Sequence, residues 1–147
     1  MRFDQGSCMK WFELKHLVTF DDTNCAGNVY FARYFVWMGK CREALAAEYY
    51  PQLAGDFKRG NGFATEFAHV DYKKDSFLFD RVVIKLGVAQ FTRTRIEFTF
   101  EFVNETSGVL LATGRQAVVW INPQHRPSLM PESLVKDLVD YFGVSPE

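Results

Sequence analysis

The run from Asp21 to Phe35, DDTNCAGNVYFARYF, gathers the groups of this chain best suited to act on a carbonyl. Asn24 lies in a turn-forming cluster, Asp-Asp-Thr-Asn before Ala26-Gly27-Asn28, and an aromatic segment with helical spacing follows at once. A turn that opens into a helix leaves backbone N–H groups without intrahelical acceptors, and such groups can meet an oxyanion or an acyl carbonyl. Asn24 adds a carboxamide. Its NH₂ can donate to a developing oxyanion while its carbonyl accepts from a water, which positions both reactants without taking a proton.

Arg42 is the second candidate. At 100° per residue, Phe31, Phe35, Met38, Arg42, Leu45 and Tyr49 share one stripe of the expected helix, and Arg42 interrupts that stripe near its middle. A charge buried without a partner is costly, so a central arginine needs an anion or a carbonyl to meet. The alternative is that it snorkels from the helix edge or pairs with a core carboxylate. Tyr34, on the shoulder of the same stripe, reads equally as a core aromatic or as a hydroxyl donor.

Other chemistry-bearing residues carry weaker signals. Cys25 beside Asn24 has no adjacent histidine to activate it, and His16, His69 and His125 lack metal-ligand spacing, with His16 read as a strand-face or interface residue. Cys8, Cys25 and Cys41 are odd in number and unpaired in spacing, as expected of reduced thiols. Glu43, Glu48 and Glu66 read as solvated or ion-paired charges. Lys58-Arg59, Lys73-Lys74 and Arg81 are basic positions able to receive an acidic partner near a pocket mouth, or simply a solvated surface.

These residues need elements to hold them. Trp11 to Phe20 predicts a strand with Phe12, Leu14, His16, Val18 and Phe20 on one face, and Phe31 to Tyr49 predicts a helix that Pro51 stops. Residues 53 to 62, LAGDFKRGNG, read as a polar, mobile connection. Four strands follow, Phe63 to Tyr72, Phe79 to Gln90, Thr92 to Asn104 and Val109 to Ile121, and then a short helix from Pro131 to Phe142. One strand, a long helix and four strands form an α+β pattern, an antiparallel sheet wrapped around one central helix: the hotdog arrangement.

The length of 147 residues fits one such domain. A hydrophobic content of 48% with 15 Phe, 6 Tyr and 3 Trp exceeds what a small monomer hides easily, so an acyl pocket or a subunit interface is expected. The formal charge of −1 gives no global attraction to nucleic acid or to an anionic membrane, and neither is expected as a partner. The absence of a long apolar run and of a signal-peptide h-region points to a soluble, cytoplasmic protein.

The segment from Phe20 to Pro51 resembles the 4-hydroxybenzoyl-CoA thioesterase branch of the hotdog superfamily, whose pattern is a strand, D-x-D-x-A-G, then V-Y-aromatic and N-Y-x-x-W on the central helix. Here the strings are DDTNCAG, NVYFARY and VWMG. The resemblance implies that the thioester carbonyl is polarised by the backbone N–H of Phe31, and that the second Asp of the pattern, nucleophile or general base in that branch, falls at Asn24. A carboxamide cannot fill that role, because it has no ionisable proton near neutrality.

The fuller string TNCAGNVYFARYFVWMGKCRE is similar to the thioesterases that accompany iterative enediyne polyketide synthases. That similarity implies a site made of Asn24, Arg42 and Tyr34, with Gly27, Val29, Phe31, Phe35 and Met38 as substrate-binding residues. The implied substrate is a conjugated polyene on the phosphopantetheine of an acyl carrier protein, handled by a homo-oligomer, a dimer or dimer of dimers, with no cofactor. Asn24 and the permanently charged Arg42 suit an activated β-ketoacyl thioester, whose hydrolysis leaves a β-keto acid that readily loses carbon dioxide. The competing readings are a general acyl-CoA thioesterase and a hotdog module that binds acyl groups without turnover.

Overall fold

The strand Arg95–Asn104 shows most directly how this sequence makes its sheet. Ile96, Phe98, Phe100 and Phe102 are buried and alternate with the half-buried Arg95, Glu97, Thr99 and Glu101, so one face is apolar and the other polar. Burying each of these large side chains contributes about 1.5–3 kcal/mol. In the computed structural model, which describes residues 9–147, the elements are β1 (Phe12–Leu17), α1 (Arg33–Tyr49), α2 (Leu53–Lys58), β2 (Gly62–Tyr72), β3 (Arg81–Phe91), β4 (Arg95–Asn104), β5 (Leu110–Ile121) and α3 (Glu132–Phe142).

The five strands form one antiparallel sheet in the order β1-β3-β4-β5-β2. Helix α1 lies in its concave face, where Trp37, Met38 and Cys41 are wholly buried against the inner residues of β3 and β4. Gly114 of β5 permits this approach, since a Cβ there would meet the Met38 thioether at 3.3 Å. This is the hotdog fold expected from the sequence. Among the described residues no helix is long and apolar enough to cross a membrane.

Several boundaries differ from expectation. Strand β1 ends at Leu17, and Phe20 is not on its buried face; Phe20 is 78% exposed and begins a single 3₁₀ turn, Phe20–Asp22. Helix α1 begins at Arg33, two residues after Phe31, and its buried stripe is Tyr34, Trp37, Met38, Cys41 and Leu45. The expected stripe is therefore displaced: Phe31 and Tyr49 are exposed, and Arg42 flanks the core face.

Residues 53 to 58 are helical, against the expectation of a mobile connection. The hydroxyl of Tyr50 donates to Asp56 Oδ2 at 2.9 Å and Arg59 donates to Oδ1 at 2.6 Å, so the turn is closed by side chains. Phe79 does not start β3, because its backbone is left-handed (φ 69°) and β3 begins at Arg81. Cys8 lies outside the described residues; Cys25 is exposed and Cys41 buried, both free thiols.

Candidate active site

Turn chemistry shapes the loop that carries Asn24. The Asn24 N–H donates to Asn28 O at 2.9 Å, Gly27 N–H donates to Asn24 O at 2.9 Å, and Ala26 N–H donates to the Asn24 side-chain oxygen at 2.9 Å. Gly27 takes the left-handed conformation (φ 85°) that closes the turn. The loop is pinned outward by Val29 N–H to Ser76 O at 2.8 Å and Leu78 N–H to Gly27 O at 3.2 Å. The side-chain carbonyl of Asn24 spends one lone pair on its own turn, which leaves its second lone pair and its NH₂ to meet a water or a ligand.

Beneath the loop lies a group that the sequence did not single out. Asp22 is 0% exposed, and its carboxylate accepts from His16 Nε2 at 2.7 Å, Arg33 Nε at 2.9 Å, Trp37 Nε1 at 3.3 Å and the Thr19 N–H at 3.0 Å. Burial pushes its pKa up, but the hydrogen bonds from Thr19, His16 and Arg33 outweigh burial and hold it at about 2 against an ordinary 3.8. The folded state thus binds fewer protons than the unfolded chain between those values, and Asp22 contributes stability that is complete above pH 3.8 and lost as pH falls through about 2. The contribution is about 2 kcal/mol. We expect Asp22→Asn to be less stable than the parent at pH 6, with the gap narrowing toward pH 2; urea midpoints at both ends of that range check this.

Asn24, Val29, Phe31 and Tyr34 line one open cavity of about 630 Å³, together with Tyr72, Lys73, Lys74 and Asp75. Tyr34 is 3% exposed and packed edge-on against Tyr72 and Phe102; its hydroxyl makes no bond among the described residues and is not sealed from the cavity, so it is free to donate there. Burial foremost, then the nearby Asp75, Tyr72 and Asp80, pushes Tyr34 up to about 12, so it stays protonated at neutral pH. Among the described residues no acceptor meets the N–H of Phe31, just ahead of α1. The Tyr72 hydroxyl donates to the Phe31 carbonyl at 2.8 Å and fixes that residue. The residues that carry a tyrosine hydroxyl, a carboxamide and an unpaired backbone N–H thus line one cavity, and donors of these kinds can meet a carbonyl oxygen.

Arg42 is not at this cavity. It lines a separate apolar cavity of about 210 Å³ beneath α2 and α3, beside Glu43, Leu45 and Phe98, and its Nη1 donates to Gln116 Oε1 at 3.0 Å. Burial lowers the Arg42 pKa, opposed by the Glu43 charge, and Gln116, itself buried, is the acceptor that lets the guanidinium sit there. Eight residues of helix separate Arg42 from Tyr34, about 12 Å of axial rise. Of the expected substrate-binding residues, Val29 and Phe31 line the Asn24 cavity, whereas Gly27, Phe35 and Met38 do not; Met38 is wholly core.

Of the remaining candidates, His16 is the strand-face residue expected, and Cys41 is pushed up to about 12 by burial, as befits an inert thiol. Glu66 pairs with Arg95 at 2.8 Å and Arg59 with Asp56, while Lys73 and Lys74 stand at the cavity mouth. Among the described residues no group of three His, Cys, Asp or Glu side chains could hold a metal ion.

Residues 18–138 match the family model of the thioesterase-like superfamily. The chain belongs to that superfamily. A 1,4-dihydroxy-2-naphthoyl-CoA hydrolase of Crocosphaera subtropica is 32% identical over 116 residues, 74% of this chain and 81% of that protein. The dynemicin thioesterase, whose crystal structures reveal induced-fit and allosteric effects upon polyene binding, is 33% identical and superposes with a TM-score of 0.83 over 90% of this chain and 97% of that one. A 1,4-dihydroxy-2-naphthoyl-CoA thioesterase from Synechocystis, 22% identical, shares the fold with a TM-score of 0.83 over 89% of this chain and 97% of its own. Superfamily membership gives the reaction class, hydrolysis of an acyl thioester, and this thioesterase presents a carboxamide from the Asn24 loop.

Proposed function

We propose that the protein releases a β-ketoacyl polyene chain from the phosphopantetheine of an acyl carrier protein belonging to an iterative enediyne polyketide synthase. The observation that carries this reading is the donor set at the Asn24 cavity, which has an amide NH₂, a Phe31 N–H that no acceptor meets among the described residues, and the Tyr34 hydroxyl. Such a set stabilises an oxyanion without supplying a strong base, which suits a thioester already activated by a β-carbonyl. Asp75 is also at this cavity, but it is an exposed residue of the β2–β3 loop. The product, a β-keto acid, would lose carbon dioxide through its own cyclic transition state. Polyene binding by the dynemicin thioesterase supports the acyl class.

Arg42 reaches this chemistry through a second copy of the chain. Strand β2 is an 11-residue edge strand whose outer ladder has no partner among the described residues, and its Thr65, Ala68 and Tyr72 are exposed. Tyr30 and Phe31 are exposed beside it. Closure of two copies over this region would bury the aromatic surplus and bring the Arg42 groove of one toward the Asn24 loop of the other.

The test is mass spectrometry of what leaves a carrier protein loaded with a β-ketoacyl polyene. The expected products are the β-keto acid and the methyl ketone formed by its decarboxylation. Hydrolysis of dihydroxynaphthoyl-CoA with none on the carrier protein would assign the chain to aryl-CoA hydrolysis, and binding without turnover of any thioester would make it an acyl-binding module.

A further inference from the structure

Asp22 joins both ends of the loop that carries the candidate catalytic groups. Its Oδ1 takes the Arg33 and Trp37 donors from the first turns of α1, and its Oδ2 takes His16 of β1 and the Thr19 N–H. Its main-chain oxygen accepts the Tyr30 N–H at 2.8 Å, and Thr23 bridges to Val29. Asn24 therefore leaves this anchor two residues downstream, and the Phe31 N–H returns to it one residue after Tyr30. The carboxylate is wholly buried and ionised, an arrangement that well-packed apolar side chains usually equal for stability, while they could not aim four donors at two oxygens.

We propose that Asp22 is a positioning residue for thioester hydrolysis, which sets the distance between the Asn24 carboxamide and the Phe31 N–H by holding β1, the 3₁₀ turn and the start of α1 to one carboxylate. The proposal rests on the reading of those two groups as the ones that meet the thioester. Misplacement by about 1 Å at such a site costs on the order of 10²-fold in rate, so a hub beneath the loop has leverage although it touches no substrate.

Asp22→Asn is the first test, because the amide keeps the shape but can no longer accept on both sides. We expect kcat on a β-ketoacyl carrier-protein thioester to fall by about 10-fold or more, with KM within about twofold of the parent. The amides of Asn24, Ala26 and Gly27, which are tied within the loop, should exchange with solvent faster by about 10-fold, while those of β4 and β5 exchange as in the parent.

In an Asn24→Ala background the same Asp22→Asn change should cost several-fold less in kcat than it does in the parent, since the distance it sets has lost one of its two ends and only the Phe31 N–H is left to hold. An undiminished second loss, or parent-like loop exchange in a folded Asp22→Asn protein, would overturn the proposal. Should Asn24→Ala prove as active as the parent, the reading of Asn24 falls, and the loop exchange still judges Asp22. If Asp22→Asn does not fold, Arg33→Gln removes one donor from a partly exposed side chain and is expected to show the same two effects at smaller amplitude. Parent-like exchange and kcat in Arg33→Gln would then count against Asp22.

Discussion

Arg42→Met is expected to fold and to lose about 10²-fold or more in turnover, the scale of removing one oxyanion donor and equivalent to about 2.7 kcal/mol of barrier. Met keeps the length and apolar stem that packs along the cavity wall beside Leu45 and Phe98. The cost to stability is confined to the bond with Gln116, whose oxygen loses one donor; about 1 kcal/mol is expected, read as a small drop in Tm. Arg42→Lys should recover part of the loss, because it restores the charge without the planar fork. A folded Arg42→Met protein with parent activity would reduce Arg42 to a tie between α1 and β5.

The separation of Arg42 from the Asn24 cavity gives this prediction a second measurement. If the two groups meet only across copies, mixing Arg42→Met with Asn24→Ala subunits rebuilds one intact site in each mixed dimer. Recovery of up to about a quarter of parent activity is expected from random pairing. No recovery in verified mixed dimers would place each site within a single chain.

How far the sequence reached depends on how local each determinant is. The alternation along Ile96, Phe98, Phe100 and Phe102 is a property of one strand, and so is the spacing of Leu134, Val135, Leu138 and Phe142 in α3; both were legible. Helix α1 is apolar around much of its circumference, so periodicity alone did not fix which stripe faces the sheet. Packing chose Trp37 and Cys41, and the stripe through Phe31 and Arg42 became a flank. Helix α2 was missed because LAGDFK contains a glycine and an aspartate, and its closure depends on Tyr50 and Arg59 meeting Asp56.

The burial of Asp22 was not legible for the same reason. Asp21 and Asp22 look alike in a turn, yet one is exposed and the other is wholly buried by partners 6, 11 and 15 residues away. Asn24, Tyr34 and Arg42 were grouped only through the family resemblance; ten residues of turn and helix start put Asn24 and Tyr34 at one cavity, and Arg42 lies at another. The Gln116 partner of Arg42 lies 74 residues along the chain, where only the folded sheet supplies it.

Asn24 admits the most discriminating substitution. Asn24→Ala removes the NH₂ and also the acceptor for the Ala26 N–H, in an exposed loop where little packing is lost. Folding should be close to the parent's, with most β-ketoacyl hydrolysis gone, a fall of about 10²-fold. Asn24→Asp separates the two functions of the side chain. A carboxylate still accepts the Ala26 N–H, so the turn and the loop position persist, but the group facing the cavity changes from a donor to a negatively charged acceptor. That charge repels a developing oxyanion and should lower the rate on the β-ketoacyl carrier-protein substrate by about 10²-fold. It also restores the carboxylate of the D-x-D-x-A-G pattern, so hydrolysis of ordinary acyl-CoA thioesters is expected to rise from the parent's level as a general base becomes available. Rates measured side by side on the two substrate classes decide the matter. An Asn24→Asp protein that outperforms the parent on the carrier-protein substrate would mean that this site wants a base after all, and that the carboxamide is not acting as a donor.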